Sequence, residues 1–192
     1  MNFYEDPEQA EAYVQMAVGY DGRELIARLR QHLPDGATVL ELGIGPGVDM
    51  DLLAAHFRTT GSDRSAYFVE RYRQQNPAAD LLVLDAVTLE TDRRFDAIYS
   101  NKVLHHLTRQ ELRLSLARQA QLLNPGGLAL HSFWAGDGEE EMMGMRFVYY
   151  TPETLAEQVG DEWTILESTF YAEMEENDSL LLLLRRDSGS SN

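Results

Sequence analysis

The 192-residue sequence contains no cysteine. That excludes a disulfide framework, thiolate metal sites and a cysteine nucleophile together. Basic residues are scarce: 16 Lys and Arg stand against 32 Asp and Glu, for a net charge of −16. Polyanions are bound chiefly through phosphate neutralisation by Lys and Arg, so the expectation is no nucleic-acid partner. A solvated acidic surface that maintains solubility accounts for the charge. Apolar runs of membrane-spanning length are missing, and residues 180–184, five leucines, read instead as a buried strand, so no membrane partner is expected. The first seven residues, MNFYEDP, have neither the basic nor the apolar region of a signal peptide. The expected location is cytoplasmic. No His pair or paired-carboxylate cluster has metal-ligand spacing, and no metal is expected.

With 44% hydrophobic residues the chain reads as one globular domain over residues 1–187. Residues 188–192 form a Ser/Gly tail expected to be disordered. The most informative stretch is VLELGIGPG, residues 39–47. It reads as a buried strand, Thr38 to Leu42, running into a G-x-G-x-G turn that opens a helix carrying Val48, Leu52, Leu53 and Phe57. Glycines without Cβ allow positive φ and close approach of a ligand, and a helix N-terminus offers free N–H groups. The nicotinamide fingerprint would need glycine at 48, where Val48 stands.

Around this turn the order of elements alternates. Residues 1–35 read as a helical cap with helices over 8–18 and 21–33, the second opened by a capping box, Asp21-x-x-Glu24. Strands are expected over 58–63, 80–85, 95–100 and 128–133, with helices over 65–75 and from the capping box Thr108-x-x-Glu111 to about residue 123. The strand over 80–85 is apolar on both faces, as in a buried parallel strand. Residues 134–150 read as an acceptor-side loop, followed by a helix to about Val159 and a hairpin from runs 163–171 and 180–186. The fold class is α/β: a doubly wound, Rossmann-like, seven-stranded, mostly parallel sheet with the last strand antiparallel. Ligands of such sheets bind past the carboxyl ends of the strands. The informative positions are then residues 43–47, Asp63, Asp85 with Ala86, and 100–106.

Four segments in this order resemble the motifs of class I S-adenosylmethionine-dependent methyltransferases: residues 39–47, 60–63 (TGSD), 84–86 (LDA) and 95–107 (FDAIYSNKVLHHL). LLNPGG at 122–127 is a fifth. Pro46 before the third glycine fixes φ and removes one N–H, which the family tolerates. The resemblance implies the strand order 3-2-1-4-5-7-6 and S-adenosyl-L-methionine as cofactor, with S-adenosyl-L-homocysteine as product. It implies that Gly43, Ile44, Gly45 and Gly47 pack on the methionine part, with Glu41 near its ammonium. Asp63 would hold the ribose, with Arg64 next to it also binding the cofactor; Asp85 and Ala86 would lie at the adenine edge, and Asn101 at the methionine moiety or the acceptor. Asp63, Asp85 and Asn101 equally suit caps and turns.

The acceptor half is less legible. His105 is the candidate base and His106 a packing or pocket-lining residue. Tyr13, Trp134, Met145 and Tyr150 are candidates for an acceptor pocket or lid. Methyl transfer is an in-line displacement, so alignment in a dry cleft is the main requirement. The expected function is methyl transfer to a small-molecule acceptor. A catalytically silent cofactor-binding subunit and a protein methyltransferase are the alternatives. Nothing in the sequence names the acceptor or the oligomeric state.

Overall fold

The computed structural model describes residues 19–142 and 144–187. The helix expected over 8–18, Tyr13, Met143 and the 188–192 tail lie outside the described residues. The strands are β1 (Thr38–Leu42), β2 (Arg58–Asp63), β3 (Asp80–Val83), β4 (Phe95–Asn101), β5 (Leu123–Trp134), β6 (Glu139–Met142), β7 (Met145–Val148), β8 (Trp163–Tyr171) and β9 (Ser179–Arg186). The helices are α1 (Arg23–Arg30), α2 (Val48–Ala54), α3 (Ala66–Gln75), α4 (Arg109–Leu122) and α5 (Pro152–Ala156), and Leu104–His106 forms a 3-10 turn. Seven strands form one sheet in the order β3-β2-β1-β4-β5-β9-β8. Its first five strands are parallel and β9 is antiparallel to both neighbours. Counted within the sheet alone, that is the expected 3-2-1-4-5-7-6.

Both faces of the central strands are buried, and side-chain alternation assigns each residue to a face. Val39, Ala97 and Tyr99 pack with Leu25 and Leu29 of α1 and Leu53 of α2. Leu40, Leu42 and Ile98 pack with Leu112 and Leu116 of α4 on the other face. The leucine run divides in the same way, Leu181 and Leu183 to the first face and Leu180, Leu182 and Leu184 to the second. No helix among the described residues is long and apolar enough to cross a membrane.

Several boundaries differ from the sequence pattern. The Asp21 capping box does not form: Asp21 Oδ1 accepts from Arg23 N at 3.1 Å, Gly22 is the N-cap, and α1 starts at Arg23. The Gly22 N–H donates to Asp49 Oδ1 at 2.6 Å. The Thr108–Glu111 box does form. The strand over 80–85 stops at Val83, at the edge of the sheet, with Val83 exposed. Residues 134–150 are no plain loop: β6 and β7 pair there as a separate antiparallel hairpin. Finally, β5 starts at Leu123. Phe95 pairs with Leu123 and Ala97 with Leu128, so NPGG bulges out of the ladder instead of preceding it.

A buried polar chain crosses the second face. His131 Nε2 lies 2.9 Å from Gln119 Oε1, which fixes it as the protonated nitrogen, and Nδ1 accepts from Ser100 Oγ at 2.8 Å. Gln119 Nε2 donates to Ser115 Oγ, and Ser115 Oγ donates to the Ala86 carbonyl at 2.6 Å. The chain ties α4 to the loop past β3. Burial pushes the His131 pKa down to about 3. An unfolded histidine titrates near 6.5, so this contribution to stability is present above that pH and is lost as the pH falls toward 3. The melting temperature should drop more steeply between pH 7 and pH 4 for wild type than for His131→Gln. Parallel curves would contradict the assignment.

Candidate functional site

Two cavities open past the carboxyl ends of the parallel strands. The larger, about 260 Å³, has Asp63, Arg64, Phe68, Asp85 and Ala86 on its wall. The smaller, about 120 Å³, is walled by Tyr20, Glu41, Ile44, Asp49, Asn101 and Glu173. Gly43, Gly45, Lys102 and Val103 line both, so the cavities meet at the glycine turn.

The turn is held by its own hydrogen bonds. Gly43 N and Ile44 N donate to the Ser62 carbonyl, Gly47 N to the Ile44 carbonyl, and Gly45 N to Asp63 Oδ2 at 3.0 Å. These four amides are therefore already bonded and are not the free donors expected for a ligand. Two glycines are required by space as well as by backbone. A Cβ on Gly43, at φ +72°, would come within 2.6 Å of Val103, and one on Gly47, at φ +92°, within 2.2 Å of the Tyr72 ring. Gly47 thus supports the turn from behind and lies off both cavity walls.

Asp63 combines the two roles the sequence allowed. Its Oδ1 accepts from Ser65 N at 2.8 Å, where α3 begins, while Oδ2 clamps the turn. Burial raises its pKa in spite of these backbone bonds. Asp85 likewise accepts from Val87 N at 2.8 Å as a turn residue, and its Oδ2 lies 3.7 Å from Arg64 Nε on the cavity wall. Glu41 differs. It is 3% exposed, and its Oε2 has no hydrogen-bond partner among the described residues. Burial raises its pKa well above the carboxylate range, and the nearby charges of Asp49, Asp63 and Asp51 add to the rise. A buried acceptor without a donor costs about 1–3 kcal/mol.

Three wall residues escaped the sequence reading. Asp49 is buried and accepts from Gly22 N, Tyr99 Oη at 2.7 Å and Asn101 Nδ2 at 3.1 Å. Lys102 is the only lysine in the sequence. Its backbone is left-handed (φ +52°), and its Nζ donates to Glu173, Tyr171 Oη and Ser179 Oγ while lying 3.9 Å above the Trp134 ring. Burial lowers its pKa, and Glu173 counters part of that. Glu173 in turn reaches the smaller cavity from the β8–β9 connection. Asp49 and Lys102 lie within or beside segments already flagged, but only the folded chain shows the partners that give them a role.

The acceptor-side expectations divide. His106 and Met145 are on the wall of the larger cavity. His105 is on neither wall: it is 2% exposed, and both ring nitrogens lack a hydrogen-bond partner among the described residues. Tyr150 belongs to the core, with its ring 5.2 Å from Phe133 and beneath the Arg109 guanidinium at 4.9 Å. Trp134 lines neither cavity and serves instead as the platform under Lys102. Tyr150 and Trp134 are therefore not lid residues.

A family model described as a methyltransferase domain matches residues 12–167, and the chain belongs to that family. Among curated proteins it is 28% identical over 137 residues to the tRNA (carboxymethyluridine(34)-5-O)-methyltransferase of Arabidopsis thaliana, covering 70% of this chain and 33% of that protein. It is 36% identical over 108 residues to the trans-aconitate 2-methyltransferase of Methylobacterium radiotolerans, covering 55% and 40%. The chain thus spans well under half the length of these relatives. Among solved structures it resembles the 1,6-didemethyltoxoflavin-N1-methyltransferase of Burkholderia thailandensis, crystallised with bound 1,6-didemethyltoxoflavin and S-adenosylhomocysteine. That likeness has a TM-score of 0.76 at 20% identity, covering 94% of this chain and 85% of that one. The glycopeptide N-methyltransferase MtfA, complexed with S-adenosylmethionine, gives 0.70 at 18% identity, covering 87% and 95%.

The Glu41 environment has a measurable consequence. Its folded pKa is raised, so the stability attached to the protonated form is full below the unfolded carboxyl value near 4.3 and is lost as the pH rises through the folded value. Glu41→Gln stays neutral throughout. Without ligand it should melt above wild type at pH 8, by a margin that shrinks toward pH 5. A margin independent of pH would contradict the burial of an ionisable Glu41.

Proposed function

We propose that the protein transfers the methyl group of S-adenosylmethionine to a small-molecule acceptor. One observation carries the cofactor half of this reading: the buried Glu41 acceptor, without a donor among the described residues, on the wall of a cavity crowded with carboxylates. A cationic ammonium supplies both the missing donor and the missing charge. Asp63 and Asp85 on the second cavity suit the hydroxyl and amino donors of a nucleoside. When bound, S-adenosylmethionine supplies a methyl group on a sulfonium, a good leaving group.

The remaining work falls to the chain. The clamped glycine turn holds the cofactor wall rigid, since its amides are satisfied internally. Asn101 is fixed between Asp49 and Ser132 Oγ, which orients its amide at the smaller cavity. Positioning of this kind is worth about 7–11 kcal/mol of barrier. His105 is a poor candidate base, because its ring reaches neither cavity. His106 is on the wall, and burial lowers its pKa, which favours the neutral imidazole at physiological pH.

The charge of −16 supports a small acceptor over RNA. Several arginines that would otherwise serve a polyanion are paired: Arg23 with Asp21, Arg28 with Glu167, Arg73 with Glu70 and Arg93 with Asp80. The tRNA-modifying relatives favour a second reading, in which the acceptor is a tRNA. Incubation with methyl-labelled S-adenosylmethionine and equal masses of a metabolite extract, tRNA and protein separates the two. Label is expected in the low-mass fraction. Label in tRNA would overturn the acceptor class but keep the chemistry. No label anywhere, with cofactor binding intact, would favour a catalytically silent member of the family.

A further inference from the structure

The hairpin β6–β7 lies in the stretch that the sequence places on the acceptor side, yet its residues stand elsewhere. Gly144, Met145 and Arg146 line the larger cavity together with Asp63, Asp85 and Ala86, and none of the described hairpin residues reaches the smaller one. Arg146 and Asp85 thus stand on the wall of one cavity.

The hairpin is seated on the two adjacent histidines. The Phe147 ring stacks on His105 at 5.3 Å with an interplanar angle of 22°, and meets His106 edge-on at 4.9 Å. The two imidazoles lie 4.0 Å apart. His106 Nδ1 donates to the Arg146 carbonyl at 2.7 Å, fixing the backbone of β7 next to the cavity. This gives the buried His105 a use that requires no proton transfer: it is the flat apolar bed for Phe147, and ring pairs of this kind add about 0.5–1.5 kcal/mol beyond burial.

We propose that the β6–β7 hairpin is a wall of the nucleoside subsite, held on a His105–His106 platform, and that it closes over the adenosine part of the cofactor instead of the acceptor. The inference rests on the cofactor reading above. If the amino-acid end of the cofactor meets Glu41 in the smaller cavity, the nucleoside end occupies the larger one, which is the cavity the hairpin lines. Phe147, His105 and His106 are positioning residues in this arrangement.

The test compares the affinity of S-adenosylhomocysteine and of adenosine for wild type, Phe147→Ala, and the double variant Met145→Ala/Arg146→Ser, with melting temperatures measured in parallel. The double variant changes only side chains that are exposed or half-buried, so folding should survive. Both variants should bind both ligands about tenfold more weakly or worse. In wild type, amide exchange over residues 144–148 should slow on adding either ligand. Affinities within twofold of wild type in a folded double variant, with exchange at 144–148 unchanged by ligand, would overturn the proposal. Failure of wild type to bind S-adenosylhomocysteine at all would instead overturn the cofactor reading on which it rests.

Discussion

The site depends on one buried carboxylate. Asp49 stands two residues beyond the glycine turn, and its two oxygens receive the Gly22 amide, the Tyr99 hydroxyl and the Asn101 side-chain amide. A carboxylate out of water needs such donors, and these three come from two separate parts of the chain, the residue before α1 and the end of β4. The result ties the start of α1 and the end of β4 to the helix that leaves the turn. The approach is so close that a Cβ on Gly22 would fall 1.9 Å from Tyr99 Oη. The same charge disfavours ionisation of Glu41 across the smaller cavity.

Carboxylates dominate that end of the site. Glu41, Asp49 and Glu173 share one small cavity, and among the described lining residues Lys102 alone offsets them. Lys102 is itself caged by Tyr171, Ser179, Glu173 and the Trp134 face, so its charge is committed to the β8–β9 hairpin. Such crowding destabilises the unliganded protein and gives a cationic ligand a favourable exchange. The larger cavity is of mixed sign, with Arg64 and Arg146 beside Asp63 and Asp85, as a neutral nucleoside with donors and acceptors would require. The difference in character between the two compartments is what gives the site a direction.

The sheet was legible because its signals are local and repeated. The β1, β2 and β8 boundaries match the sequence pattern, and the Thr108 capping box is where its spacing puts it. The gathering of Gly43, Gly45, Asp63, Asp85 and Ala86 around one cavity was legible too, because strand ends in a doubly wound sheet converge whatever their sequence separation. What was hidden depended on long-range partners. Nothing near Asp21 reveals that Asp49 takes the Gly22 amide just before α1. The 139–148 segment, acidic and glycine-flanked, carries little periodicity, so a hairpin whose position is set by Phe147 on two histidines read as a loop. Tyr150 looked available for a lid only because its burial against Phe133 comes from the far end of β5.

The central claim is that a cationic amino-acid group completes the smaller cavity by meeting Glu41. Calorimetric titration of S-adenosylhomocysteine in two buffers of different ionisation enthalpy reads this directly. Glu41 retains its proton more tightly when the site is empty, so an arriving ammonium should expel protons. At a pH below the raised pKa, wild type should bind with net proton release, whereas Glu41→Gln should bind more weakly and without that release. Binding with no proton exchange in either protein, or equal affinity in both, would contradict the account.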